Sequence, residues 1–292
     1  MKKIVLLLIM MILVGCGDKT RLTKTKVVDG INVEIEIRPD LNNKPDSHIF
    51  KAAFKEFEKW YYTTHGEESE LHKLNQVRGP IQVSQEFLSF INEIKEIEKL
   101  SEGLWQPMRG KIIDLWDLNH PEPAAPDPDE LVDAVNQLSA SDLQISSTNQ
   151  VELTGPGNLD PGIMSIGWAL DGAAKVLMEN NVFVGKISAG GISRFWGKVS
   201  DEDCWKFTLQ TPGDDARSFG IEPDEGSVCM LNLDDNGFLY SGRKYFRFIN
   251  PSNGLPFSEP YALAIWTTSA SRAAAFTEIS LISGRKHSIN WH

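Results

Sequence analysis

Val33, Ile35 and Ile37 alternate with Glu34 and Glu36, the period of two that buries one face of a β-strand. Phe50, Phe54, Phe57, Trp60 and Tyr61 then recur at helical spacing. Ser84 opens a second amphipathic helix that turns Phe87, Leu88, Ile91, Ile94, Ile97 and Leu100 inward, with Gly103 placed to stop it. Residues 121–128 hold four prolines and read as a rigid connector before a helix over 129–138. The stretch 168–178 has apolar positions on more than one face, which predicts a buried helix. Strand candidates follow at 150–153, 184–189, 205–210, 227–233, 244–249 and 261–267, and a last helix runs from Ser269 or Ser271 to Gly284. Helices mixed with strands that gather late in the chain predict an α+β or α/β domain with a mixed sheet.

The N-terminus has a different character. Lys2 and Lys3 precede an apolar run over 4–14 that is short for a membrane span, the layout of a secretory leader. Leu13-Val14-Gly15-Cys16 resembles the bacterial lipobox, whose Cys is lipidated and becomes the first residue of the mature chain; an ordinary leader that happens to contain a Cys is the alternative. The expected divisions are a leader over 1–15, a polar tether over 16–26 and a folded domain over 27–292. Lipidation of Cys16 would hold the chain on the periplasmic side of a membrane, the outer membrane by virtue of Gly17. Removing the leader takes away two lysines, so the formal net charge moves from −11 to −13. No basic stripe interleaved with aromatic residues is present, which argues against a nucleic-acid partner. Cys204 and Cys229 are left, either as a disulfide or as small buried apolar residues.

Chemistry enters through six segments. Tyr245-Phe246-Arg247-Phe248-Ile249-Asn250-Pro251-Ser252-Asn253-Gly254-Leu255-Pro256 is a strand running into a turn fixed by two prolines and a glycine. It resembles the Tyr-x-His-Ile-Ile-Asp-Pro-x-Thr-Gly-x-Pro signature of the ApbE family, the FAD:protein FMN transferases. Five more segments resemble blocks of that family in the same order: 69–75 (Ser-Glu-Leu-Ser-Arg-Leu-Asn), 103–116 (Gly-Ala-Phe-Asp-x-Thr), 159–171 (Gly-Gly-Ile-Ala-Lys-Gly), 187–197 (Leu-Gly-Gly) and 273–284 (Ala-Asp-Ala-Leu-Ala-Thr). The resemblance implies a single ApbE-type, T-fold-like α+β domain with a mixed or antiparallel sheet packed by helices. It also implies a reaction in which FAD is split at its pyrophosphate and FMN passes to a threonine of a target flavoprotein, with AMP released and Mg²⁺ assisting. Carried over by position, the cofactor-facing residues are Ser69, Glu70, Asp171, Gly190, Gly191, Ser241, Gly242 and Arg247.

The departures from the family pattern fall on charged groups. Its metal-binding Asp falls on Ala274 and the Thr four residues later on Glu278, which is left as the one candidate metal ligand. Its Lys falls on Ile166, its block Asp on Gln106 and Thr on Met108, and its signature His and Asp on Arg247 and Asn250. Ser241-Gly242 run almost directly into Tyr245, so a loop of the family is missing between them. The catalytic residues are therefore not assigned from the sequence. Three outcomes stay open: an active transferase with altered ligands, a flavin-binding protein without transfer chemistry, or a lipoprotein that keeps only the scaffold and binds no flavin.

Several of these residues have plainer readings. Ser69 is a helix-start residue, Asp171 a capping group, Gly190-Gly191 a bend, Glu278 a solvated carboxylate or a partner of Arg272, and His65 and His72 surface histidines.

Overall fold

A computed structural model describes residues 21–39, 46–118, 120, 123–146, 149–198, 205–211, 217–233, 237–259 and 262–284. The leader, Cys16 and Cys204 lie outside the described residues, so neither lipidation nor the cysteine pairing has a structural counterpart here.

Six strands form the main sheet, in the order Leu22–Val28, Ile31–Ile37, Gly185–Ala189, Ile192–Trp196, Gly226–Asn232, Ala262–Thr267. Every neighbouring pair is antiparallel, which resolves the sequence's choice in favour of α+β. Among the described residues seven α-helices accompany it: α1 Ser47–Thr64, α2 Glu70–Gln76, α3 Gln85–Leu100, α4 Gly110–Leu115, α5 Pro128–Asn136, α6 Met164–Glu179 and α7 Ala270–Ser283. The first strand is a correction, since it begins inside the expected 16–26 tether and pairs with its neighbour from Leu22↔Ile37 to Val28↔Ile31. It is an edge strand of which only Val28 is buried. Periodicity reports burial rather than ladder hydrogen bonds, so such a strand leaves no alternation to read.

One sheet face carries the larger core. Val33, Ile35 and Ile37 are fully buried against Phe50, Phe54 and Phe57 of α1 and the alanines of α6 and α7. The opposite face is covered too, because Phe195, Trp205, Phe207 and Val228 cluster there. Glu36, expected in water, is only 2% exposed. Arg21, Lys186 and Arg38 approach its carboxylate at 2.9, 3.1 and 3.6 Å, which is what a buried charge requires.

Helix boundaries follow their caps. Ser69, Ser84 and Ser269 each accept a hydrogen bond from the backbone N–H three residues on, beginning α2, α3 and α7. Gly284 closes α7 at positive φ. The helix over 164–179 starts four residues before the expected position, and Gly167 lets it lie directly against the start of α7. A Cβ there would sit 2.3 Å from the Ala270 carbonyl oxygen.

The signature segment divides into two pieces. Arg243–Phe246 pairs with Gly237–Tyr240, and Ile249–Asn250 pairs with Leu255–Pro256. Asn250 Oδ1 accepts from the Ser252 N–H and hydroxyl at 3.0 and 2.8 Å, so the amide supplies the acceptor that an Asp would supply at this turn. Gly254 has φ +70° and its carbonyl accepts from Trp116 Nε1 at 2.8 Å, tying the turn to α4.

Candidate active site

A cavity of about 530 Å³ opens between the end of α1, the start of α6, the face of α7 and residues 247–249. Its size is in the range of small-molecule sites. His65, Arg109, Asp160, Gly162, Ile163, Ile166, Arg247 and Glu278 are among its lining residues.

Three segments build the floor. After α3, Ser101 Oγ accepts from the Trp105 N–H, and Trp105 is completely buried. Arg109 follows at 4% exposure, and the next residue, Gly110, donates its N–H to the Asn158 carbonyl at 2.8 Å. The second segment, 159–163, is clamped by Asn75, whose amide bonds the Leu159 N–H and carbonyl at 2.8 and 3.0 Å. Asp160 then donates its N–H to the Pro107 carbonyl at 2.7 Å, and its Oδ1 accepts from the Gly162 N–H at 2.7 Å. The third segment is α7, which brings Glu278 into the floor at 2% exposure.

These parts meet at the Glu278 carboxylate. Its Oε2 accepts from Arg109 Nη2 at 2.6 Å and from Trp105 Nε1 at 2.9 Å, while Oε1 accepts from the Ile163 N–H at 3.2 Å. Burial works against the guanidinium charge, but Glu278 and Asp160 outweigh it and hold the Arg109 pKa above its ordinary value. Arg109 is thus a fixed cation. Gly162, at φ +58°, lets the backbone pass the pair, since a Cβ would come within 2.2 Å of Glu278 Oε1 and 2.3 Å of Arg109 Nη2.

The residues present do not fit a Mg²⁺ site. A magnesium ion requires oxygen ligands including a carboxylate, with little tolerance in geometry. Ala274 contributes a methyl group, fully buried in the core. Both oxygens of Glu278, the metal ligand expected from the sequence, are held by Arg109, Trp105 and Ile163, and the solvated or Arg272-paired readings are also corrected. Arg272 instead meets Glu96 at 2.6 Å and Glu93 at 3.7 Å. Among the described residues no cluster of three or more His, Cys, Asp or Glu side chains is arranged to hold a metal ion.

The remaining sequence candidates distribute unevenly around the cleft. Arg247 lines it, with its guanidinium over the Phe238 ring at 5.9 Å. Gly190 and Gly191 form the turn between two sheet strands, and a Cβ on Gly190 would meet Ile166 of the cleft wall at 3.4 Å. Ser69 and Glu70 flank the lining residue Leu71 but have structural partners: Ser69 caps α2, and Glu70 Oε2 accepts from the Ser84 N–H at 2.7 Å. Asp171 accepts from the Ala270 and Ser271 N–H groups at 2.9 and 3.0 Å, joining α6 to the start of α7. Burial pushes its carboxyl above the usual range despite those donors. Ser241 and Gly242 form the tip of the 237–246 hairpin, both at positive φ, and are not among the cavity's lining residues.

Two lining residues escaped the sequence reading. Arg109 sits inside the 103–116 block, but its partner is 169 positions away and no local spacing announces the pair. His65, expected at the surface, stacks on Tyr61 with ring centroids 3.8 Å apart and places Nδ1 3.0 Å from the Tyr61 carbonyl. Burial holds its imidazole below the ordinary 6.5. The unfolded chain therefore binds this proton first as pH falls. Stability from the neutral ring is complete above about pH 6.5 and is lost as pH drops from there through the lowered folded value. Urea midpoints measured between about pH 7.5 and pH 5 should fall in the wild type, and His65→Gln should remove part of that slope. An identical slope in the variant would contradict the assignment.

Known proteins resemble this chain in both sequence and fold. The model of the ApbE family matches residues 30–292. The FAD:protein FMN transferase of Vibrio cholerae is 27% identical over 210 residues, covering 67% of this chain and 60% of that protein. The FAD:protein FMN transferase of Haemophilus influenzae is 24% identical over 218 residues, covering 68% and 61%. The matches thus span about 60% of the length of these relatives. In three dimensions the ApbE protein of Thermotoga maritima superposes with a TM-score of 0.78 at 20% identity, covering 91% of this chain and 88% of that one. The apo form of the Pseudomonas stutzeri flavinyl transferase ApbE gives 0.80 at 15% identity, covering 91% and 85%. Those structures share the fold, and the sequence match takes in almost everything after the first strand, so this chain belongs to the ApbE family.

Proposed function

We propose that this chain binds FAD in the cleft above Arg109 and Glu278 and transfers its FMN half to a threonine of a target protein. In that reaction the threonine oxygen forms a bond to the FMN phosphorus, the pyrophosphate P–O bond breaks, AMP leaves with the bonding pair, and the hydroxyl proton passes to solvent or the leaving phosphate. The observation that carries the reading is the cleft itself, which lies where five of the six family-like segments, 69–75, 103–116, 159–171, 245–256 and 273–284, converge. The names of the curated relatives support the same substrate pair.

The chain's own groups have definable parts in this. Arg247 meets anionic phosphate with a planar fork of donors, and Ile163 and Ile166 present apolar surface to a ring system. The buried floor excludes water beneath the phosphates. Lipidation at Cys16 would place this cleft at a periplasmic membrane surface, where FAD and a target flavoprotein subunit are the partners. A second reading, binding of flavin without transfer, is favoured by the methyl of Ala274 and the aliphatic Ile166 where the family pattern carries charge.

Purified full-length chain incubated with FAD and a threonine-bearing target should release AMP and leave the target covalently fluorescent. Flavin binding without AMP above a protein-free control supports the second reading. Absence of flavin binding defeats both.

A further inference from the structure

Resting on that proposed flavin site, we infer that the chain binds the FAD diphosphate without a divalent cation, using the guanidinium groups of Arg247 and Arg109 in the cation's place. Diphosphate recognition requires positive charge close to the phosphates, supplied either by a metal held by carboxylates or by Arg and Lys. The floor excludes the first arrangement by its donor set, because Ala274 offers no oxygen and the Glu278 oxygens are committed to Arg109, Trp105 and Ile163. It favours the second. Arg109 is 4% exposed, has its charge balanced by Glu278, lines the cavity, and keeps a buried Nε–H that has no acceptor among the described residues.

A buried donor of this kind is costly to leave unpaired, and a phosphate oxygen entering the cleft is the kind of group that satisfies it. Arg247 faces the same cavity from the signature segment. Of the two carboxylates of the lining, Glu278 is neutralised by Arg109, and one oxygen of Asp160 accepts from the Gly162 N–H. The residues at positions 274, 278 and 109 form one physical unit in this reading: the carboxylate of the family pattern is absent at Ala274, and the one at Glu278 is paired with Arg109.

Quenching of flavin fluorescence tests this on the full chain, with FAD, ADP and riboflavin as probes, each in EDTA and in millimolar MgCl₂. FAD should bind with dissociation constants that agree within about twofold in the two buffers, and ADP should displace it in EDTA. Arg247→Met should weaken FAD by about tenfold or more while leaving riboflavin within about twofold. FAD binding that requires Mg²⁺ overturns the inference and leaves the flavin site standing. Equal affinity for riboflavin and FAD in EDTA overturns the diphosphate contact. No binding in either buffer defeats the flavin reading itself, and with it this inference.

Discussion

Glu278→Ala is expected to destabilise the fold by about 3–5 kcal/mol, because removing one member of a buried ion pair leaves the other charged and unpaired. The substitution strands more than a guanidinium. Trp105 Nε1–H, in a residue with no exposure, and the Ile163 N–H lose their acceptor in the same step. Replacing both charges, Arg109→Met with Glu278→Leu, should recover the part of that loss due to the stranded guanidinium, since desolvating the pair consumes much of its Coulombic gain, while the part due to the Trp105 and Ile163 donors remains. Urea unfolding of the two singles and the double gives the coupling directly. A single variant within about 1 kcal/mol of wild type would mean the charges reach water and the floor is not dry.

Gly167→Ala carries the second large effect. The added Cβ would lie 2.3 Å from the Ala270 carbonyl oxygen and 2.7 Å from the Ser271 nitrogen, and neither is the movable end of a side chain. Helix α6 or α7 must shift, at a cost of about 1–3 kcal/mol for overpacking of this kind. The same shift separates Ile163, at the start of α6, from Glu278 on α7, so flavin affinity should fall together with the unfolding midpoint. Unchanged thermal stability would show that the helices do not meet as closely as the structure places them.

The sequence was most informative where burial is periodic. Ile35, Phe57 and Ile94 each report which face of their element is inside, Ser84 marks a helix start to the residue, and Ser269 is the cap where the sequence offered Ser269 or Ser271. It was silent at Leu22–Val28, an edge strand held by backbone bonds with almost no buried side chain. Glu36 misled for a related reason, because alternation tells which side a residue faces and not whether that side is also covered. Within the site, position against a family pattern located Arg247 and Glu278 but did not reveal what Glu278 does. Its partners come from residues 105, 109 and 163, and only the packing of α7 against the 103–110 and 159–163 segments brings them together. Ser69 and Asp171 show the converse. Their place in the pattern suggested a ligand, whereas their hydrogen bonds are spent on helix starts.

The central question is whether the Arg109–Glu278 pair stands where a cation would otherwise be held. Crystals of the full chain grown with FAD and excess Mn²⁺, measured for anomalous scattering, address this directly. The expected result is flavin in the cleft, the Arg109 Nη2 to Glu278 Oε2 contact kept near its present 2.6 Å, and no manganese peak beside Ala274 or Glu278. A manganese ion on Glu278, with Arg109 displaced from it, would contradict the account.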